Sequence, residues 1–516
     1  MPIKFLGRLT QALNSRSTGN ATRFYFPLAV FVTAVIVRLL IAYPGFHQLQ
    51  IGGAYTADSP RYENLALTIL KHGVYEAHPI VSHKGLDKNL YSGPEFFRLP
   101  GYPVLLAAIF ELTGYSTSAV LIVQILLSAF TCLLVYYIGC LVHSQKLGFI
   151  AATLMVLNIR AGLHAGQVTS ETLFTFLLVL ALLTCIMLWR RKTLRAAVLC
   201  AIAFVLLTMT RPIGLHLTLL FALATVIVSF RNRKVLVLAL VAPLAAALVL
   251  NAWCFRNYTI SGVWAATSND AITLGLWYPA EIWAHAHNQE YREGELEILR
   301  RHAEINPQYS YVYQGAKDNP SFNHVWTSGM VHDIAFAQSL RPIGYRVMLE
   351  EWKTSVYTFA SGGIWSLFSG LNEWRNWIIS NDEYQAMGRY ILNAKKSLAR
   401  LEIGPATLAI VQILKETPLL TLIVFAMLAV LNAVLLTGAV VGLRPLLITA
   451  PTPYGWVVIL WTLYLLATAG PSGNNRYLAP MLPLLSLWAA FGILAIATRF
   501  RPHTRGNTTS GSPSGS

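Results

Sequence analysis

Apolar residues in this chain fall in long blocks, and charged residues are confined to the gaps between them. Ten blocks stand out: Phe24–Tyr43, Ala119–Val142, Leu147–Leu163, Thr172–Trp189, Ala196–Thr210, Ile213–Phe230, Val235–Cys254, Pro418–Leu443, Trp456–Ala469 and Tyr477–Thr498. A helix crossing the hydrocarbon core needs roughly 20 apolar residues, usually about 17–25. The pattern therefore predicts an all-α polytopic membrane protein with about 10 transmembrane helices. The apolar stretch Gly101–Gly114 is shorter and is interrupted by Glu111, so it is expected to lie in the interface rather than to cross.

The gaps differ in size. Residues 44–118 and 255–417 form two large segments, and the second is too long for a structureless loop. Helix-like stretches such as Ile334–Phe368 predict a helical outer domain resting on the membrane. Trp352, Trp365 and Trp374 suit an interfacial belt, and Ser355–Leu371 is apolar enough to dip into the bilayer. The expected layout is a cytoplasmic arm at 1–23, a membrane core at 24–254 and an outer segment at 255–417. Three closing spans follow within 418–498, then a disordered tail at 499–516.

Composition agrees with this reading. The chain has 516 residues, of which 55% are hydrophobic and 12% charged, about half the charged fraction of a soluble domain. The net charge of +16 does not imply nucleic acid, because the basic residues sit between spans. Short Lys/Arg-rich loops stay in the cytoplasm. Lys4, Arg8, Arg16, Arg23, Lys146, the Arg190–Arg195 cluster, Arg231, Arg233, Lys234, Arg444, Arg499, Arg501 and Arg505 all fall on one side of the threading. No Asp or Glu joins them. Both termini are thus expected in the cytoplasm of a bacterial inner membrane, with the chemistry facing outward. Five cysteines, none in a CxxC pair, suit buried packing rather than disulfides. Asn20, Asn257 and Asn507 begin N-x-T triplets, but their expected positions make glycosylation improbable.

Candidate chemistry clusters at the outer ends of spans. Asp58, in Asp58-Ser59-Pro60, precedes a helix through Glu63–Lys71 that Gly73 should end. It can be a helix cap, or a working carboxylate at the mouth of the bundle. Glu171, at the start of the fourth span, poses the same choice between N-terminal acid and functional group. Arg160, Arg211, Arg256 and Arg476 also stand at span ends, and arginine forks match phosphate oxygens. Arg38 lies deeper, within the first span, and needs a partner there. His72, His78, His83 and Glu95 match no closed zinc motif.

In order along the chain come Arg38, then Asp58-Ser59-Pro60-Arg61-Tyr62, Arg98-Leu99-Pro100-Gly101-Tyr102-Pro103 and Ser170-Glu171-Thr172-Leu173-Phe174. Thr210-Arg211-Pro212, Arg256-Asn257-Tyr258 and Arg476-Tyr477-Leu478-Ala479-Pro480 follow. On these short motifs the chain resembles the membrane glycosyltransferases of the C fold (GT-C). The likeness is closest to a bacterial branch similar to protein O-mannosyltransferases and lipid A aminoarabinose transferases. It spans residues 30–260 and, weakly, 455–500.

The resemblance implies an inverting transferase acting at the outer face. It would move a sugar from a polyprenyl-phosphate donor to a hydroxyl of a lipid, glycan or protein acceptor. Asp58 takes the position of the catalytic base and Glu171 that of a second acid. Arg256, Arg211 and Arg476 would hold the donor phosphate, and Arg61, Tyr62, Arg98, Tyr102 and Asn257 would contact substrate. Many relatives have two adjacent acids where this chain has Ala57 and Ser59 beside Asp58. Some bind a divalent metal ion, and no ligand set for one transfers onto this sequence. Two other classes compete: a transporter or flippase of a lipid-linked sugar, and a structural assembly factor. The first is disfavoured because neither repeats nor midplane helix breaks are apparent. The second leaves the acids and arginines without a purpose.

Overall fold

The computed structural model describes residues 20–47, 54–56, 58–78, 92–318, 328–368, 419–450, 453–471 and 475–499, with isolated positions besides. His83, Trp374 and the tail at 500–516 lie outside them, as do residues 1–19 of the arm expected in the cytoplasm.

Each of the ten apolar blocks is helical where it is described. They correspond to α1 (Asn20–His47), then, after α2 (Ser59–His72) and α3 (Gly101–Thr113), to α4 (Thr117–Val142), α5 (Gln145–Val156) with α6 (Ile159–Ala165), α7 (Glu171–Arg191), α8 (Leu194–Thr210), α9 (Ile213–Ser229) and α10 (Arg233–Ser261). Among the described residues, six helices are long and apolar enough to cross a membrane, and the bent pair α5–α6, taken as one span, makes a seventh. The other expected spans are short: α8 and α9 have 17 residues each. One of the closing helices, Tyr454–Ala467, has 14. At 1.5 Å per residue these fall short of a core about 30 Å thick. Their truncation has a cause: Thr210 at the end of α8, Ile213 at the start of α9 and Ala467 all border one polar cavity.

The third block is broken rather than straight. α5 and α6 meet at 59° across Leu157–Asn158, and the Asn158 side chain caps α6 by accepting from the Ala161 amide. The break frees carbonyls at the end of α5, and these are the partners that buried Arg38 requires. Its guanidinium donates to the carbonyls of Met155 (2.6 Å), Val156 (2.8 Å) and Asn158 (3.1 Å), and to Ser128 Oγ at 2.9 Å.

Residues beyond α10 form the expected helical outer unit, built from α11 (Asn269–Ile272), a π turn (Thr273–Trp277), α12 (Tyr278–Ala286), α13 (Tyr291–Ile305), α14 (Ser310–Asp318), α15 (Ile334–Glu350) and α16 (Trp352–Phe368). It has its own core, including Ile272, Leu276, Ile298, Leu299, Phe336 and Leu340, into which Phe97 of the first outer segment inserts. Of the stretch predicted to dip into the bilayer, Ser355–Phe368 lies on α16, whose Gly363 backs onto Leu466, and the rest falls outside the described residues. α17 (Leu419–Thr449), α18 (Tyr454–Ala467) and α19 (Leu482–Arg499) close the bundle. Gly438 and Gly442, a small-xxx-small pair on α17, let it approach α19; a side chain on Gly442 would come within 2.6 Å of the Trp488 carbonyl oxygen. The two-residue strands β1 (Glu76–Ala77) and β2 (Gly93–Pro94) pair antiparallel and tie off the first outer segment.

All five cysteines are free. The sulfurs of Cys185 and Cys200, 3.8 Å apart, join α7 to α8 by contact alone.

Candidate active site

Both acids singled out in the sequence lie at helix starts, and neither acts as a cap. Asp58 precedes α2 but makes no capping hydrogen bond. Ser59 organises that turn instead, accepting from the Thr56 amide at 2.8 Å and donating to the Val168 carbonyl at 2.8 Å. Gly73, with φ of 67°, ends α2 as expected, since a left-handed residue is needed there. Ser170 before α7 likewise makes no capping bond.

The carboxylates are held by arginines. Arg98 pairs with Asp58 Oδ1. Arg476 donates to Asp58 Oδ2 at 2.7 Å and, through Nε, to Glu171 Oε1 at 2.9 Å. Arg211 completes the row at 3.4 Å from Glu171 Oε1. The result is an alternating chain, Arg98–Asp58–Arg476–Glu171–Arg211, assembled from three distant parts of the sequence. Glu171 is fully buried, and its Oε2 has no hydrogen-bond donor. Buried ion pairs give little stability and are costly when incomplete. An orphaned carboxylate oxygen among them is rare in a protein interior and calls for an explanation. Burial opposes ionisation of Asp58, but the charges of Arg98 and then Arg476 outweigh it and hold this carboxyl below its ordinary range.

A cavity of about 660 Å³ lies alongside, where the bundle meets the outer unit. Asp58, Tyr62, Arg98, Arg211 and Arg476 line it. Tyr62 and Phe97 flank the Arg98 guanidinium, each ring centre 4.9 Å away, and the Tyr62 hydroxyl reaches Ser170 Oγ at 3.3 Å.

The remaining predicted site residues are placed elsewhere. Arg61 is buried and paired with Glu95, its Nε 2.6 Å from Oε2. Glu95 also accepts from the backbone amides of Phe97 and Arg98, at 2.9 Å each. It is thus an internal counter-ion that shapes the loop carrying Arg98. Burial opposes its ionisation, yet Arg61, His332 and Arg98 keep its carboxyl low. Tyr102 is buried, donating to Gln124 at 2.7 Å and meeting the Tyr62 ring edge-on. Arg256, expected on the donor phosphate, spends its guanidinium on the carbonyls of Glu95 and Tyr75 and on Asn257 Oδ1, all at 2.9 Å. Asn257 is buried, donating to the carbonyls of Ala265 and Ala266, so it is no glycan acceptor. Arg256 and Asn257 are joints between α10, the first outer segment and the outer unit. Among the described residues no three His, Cys, Asp or Glu group as metal ligands. His72 and His78 meet ring to ring at 5.4 Å.

Sequence reasoning missed the outer wall of the cavity. Asp270, Trp277, Tyr278 and Arg341 line it, with His216 of α9 and Tyr464 of α18 beside them. They lie where no motif or span end sets them apart; the lone signal is an acid next to Asn269 after a turn.

Among solved structures, the chain is similar to an oligosaccharyltransferase of Archaeoglobus fulgidus. Against its apo form the identity is 12%, with 92% of this chain and 51% of that one covered and a TM-score of 0.48. Against the form tethered with an acceptor peptide the identity is 12%, covering 92% and 50%, with a TM-score of 0.45. Against the complex with an inhibitory peptide and a dolichol-phosphate the values are 12%, 92% and 51%, and 0.43. The chain spans about half the length of these structures. No family model matches the sequence, and no curated protein sequence does either.

Proposed function

We propose that this integral membrane protein is an inverting glycosyltransferase that moves a sugar from a polyprenyl-phosphate donor to an acceptor hydroxyl at the outer membrane surface. The observation that carries this reading is the alternating ion chain in the wall of a large cavity at the bundle's end. Counting the charges there, Arg98, Arg211, Arg341 and Arg476 stand against Asp58, Asp270 and Glu171, leaving one positive charge. A sugar-phosphate diester carries one negative charge and would balance it. Arg98 and Arg476, with Arg211, are the donor-phosphate ligands in this reading.

Held between two guanidinium groups, Asp58 is ionised but a weak base, because they stabilise its charge. A donor phosphate drawing on Arg476 and Arg98 would loosen that hold and raise its basicity. Asp58 then takes the proton of the acceptor hydroxyl as the oxygen bonds to the anomeric carbon. The bond from that carbon to the phosphate oxygen breaks on the opposite face, and polyprenyl phosphate leaves with the electron pair. The leaving group is already a stable anion, so no acid need protonate it. Glu171 holds Arg476 in register between the two carboxylates. Both termini face the cytoplasm of an inner membrane, and the acceptor is a lipid, glycan or protein.

The test is turnover in lipid nanodiscs. Purified protein given a polyprenyl-phosphate sugar and envelope extract should release polyprenyl phosphate, and Asp58→Asn should abolish release while leaving membrane insertion intact. Movement of the intact lipid across the bilayer without such release would establish the flippase alternative instead.

A further inference from the structure

The cavity has a second wall that the phosphate chemistry does not use. The π turn Thr273–Trp277 carries it, and single π turns in otherwise α-helical runs are frequent at functional sites. Gly275 presses against α15 so closely that a side chain there would come within 2.8 Å of Leu340 Cβ and 3.0 Å of the Arg341 amide. The turn and Arg341 are therefore fixed relative to one another. Asp270 heads this turn, half-buried and facing the cavity. One of its oxygens accepts from Thr267 Oγ1 at 2.8 Å. The basic side chains acting on it are Arg341 and His216, and neither forms an ion pair with it. His216 is engaged with the Tyr464 hydroxyl at 2.6 Å, and Arg341 with Gln338 and Tyr345 at 3.2 and 3.0 Å. A half-buried carboxylate with spare acceptor capacity lines the same cavity as the half-buried rings of Trp277 and Tyr278. A sugar ring presents the matching surfaces, hydroxyl donors at its edge and apolar C–H groups on its face.

We infer that Asp270 and Trp277 form a recognition subsite for the donor's sugar, Asp270 accepting hydrogen bonds from ring hydroxyls and Trp277 packing on the ring. This rests on the glycosyltransferase reading, and it assigns the two ends of the donor to two walls: phosphate to the arginines, ring to Asp270. Burial opposes ionisation of Asp270 and raises its carboxyl above the ordinary range, as suits a group that gains from hydroxyl donors. A site built to bond a hydroxyl discriminates strongly against analogues lacking it, so Asp270 is also the residue that selects the sugar.

The experiment is a binding titration of the full-length protein in nanodiscs. Its probes are decaprenyl phosphate and decaprenyl phosphate carrying glucose, mannose, galactose or arabinose. At least one sugar-bearing lipid should bind the wild type more tightly than the bare lipid. Asp270→Asn should remove that increment by about tenfold or more, as expected for a lost bond to a charged group, and leave the bare lipid unchanged. Trp277→Leu should show the same selective loss and guards against a folding defect in the first variant. An undiminished increment in both variants, or an equal loss for bare and sugar-bearing lipids, would overturn the subsite. If the wild type binds none of the lipids, bare phosphate included, the glycosyltransferase reading itself falls.

Discussion

Asp58 and Asp270 face one cavity from two walls and are held in different ways. Asp58 lies between Arg98 and Arg476. Asp270 has a threonine hydroxyl for a donor and no cation in contact. The arginines drive the first carboxyl below its ordinary range and burial drives the second above it. Two acids with opposed environments in one cavity suit two jobs. One is a charge among charges, exchangeable for a phosphate. The other is an acceptor waiting for neutral donors. The first outer segment and the ends of the bundle supply the first wall and the outer unit most of the second, so their junction is where a charged lipid head and its sugar would meet.

The largest effect that would test this division is Asp58→Asn, which keeps the side chain's shape and removes the base. Single-turnover sugar transfer should fall roughly 10²–10⁴-fold. A variant transferring at the normal rate would remove Asp58 from the chemistry. Next in size is Arg476→Ala. Loss of a hydrogen-bonded charge partner costs about 2–5 kcal/mol, so donor affinity should drop roughly 30-fold or more. Arg476→Lys should not rescue it, because an ammonium cannot bridge Asp58 and Glu171 with a planar fork. Equal donor affinity in the Lys variant would show that charge alone suffices.

Arg256→Ala sharpens the contrast from outside the cavity. Removing its bonds to the Glu95 and Tyr75 carbonyls should cost about 1.5–3 kcal/mol of stability, read as a lower melting temperature, with donor KM nearly unchanged. A tenfold rise in donor KM at normal stability would return Arg256 to the phosphate. The smallest effect is on pH. The stabilising charge of Asp58 is fully present above the unfolded value near 3.8 and is lost only as pH falls through its lower folded value. Asp270, raised, takes up its proton at a higher pH on the way down, relieving its burial cost. Arg341, His216, Tyr464 and Cys254 are the titratable groups around it. Acidification should therefore weaken the sugar increment in binding before it weakens the bare-lipid affinity or the fold. The reverse order would contradict the assignment of the two acids.

The membrane helices were legible because apolar blocks of bilayer length can do little else in water. The acids at span ends were legible because ionisable groups are costly there. Pairings were not. Arg61 meets Glu95 over 34 residues and Arg256 meets the Glu95 carbonyl over 161, and nothing in a single sequence says which arginine finds a phosphate and which a carbonyl. The break at Leu157–Asn158 was hidden inside an unbroken apolar run, although Asn158, a cap residue in such a run, was its one sign. Asp270 and Trp277 were illegible because the outer unit follows a soluble logic, in which an acid or an aromatic residue is ordinary.

Arg476 joins Asp58 across 418 residues and Glu171 across 305. During synthesis, at roughly 5–20 residues per second, both acids are in place on the order of tens of seconds before the arginine between them exists. Nearly the whole chain must thread before the two carboxylates gain their common partner. Until then Asp58 has only Arg98 and Glu171 only Arg211 as ion-pair partners within this row. Arg476 is thus the member of the row that arrives last, and its arrival joins two separate ion pairs into one continuous chain.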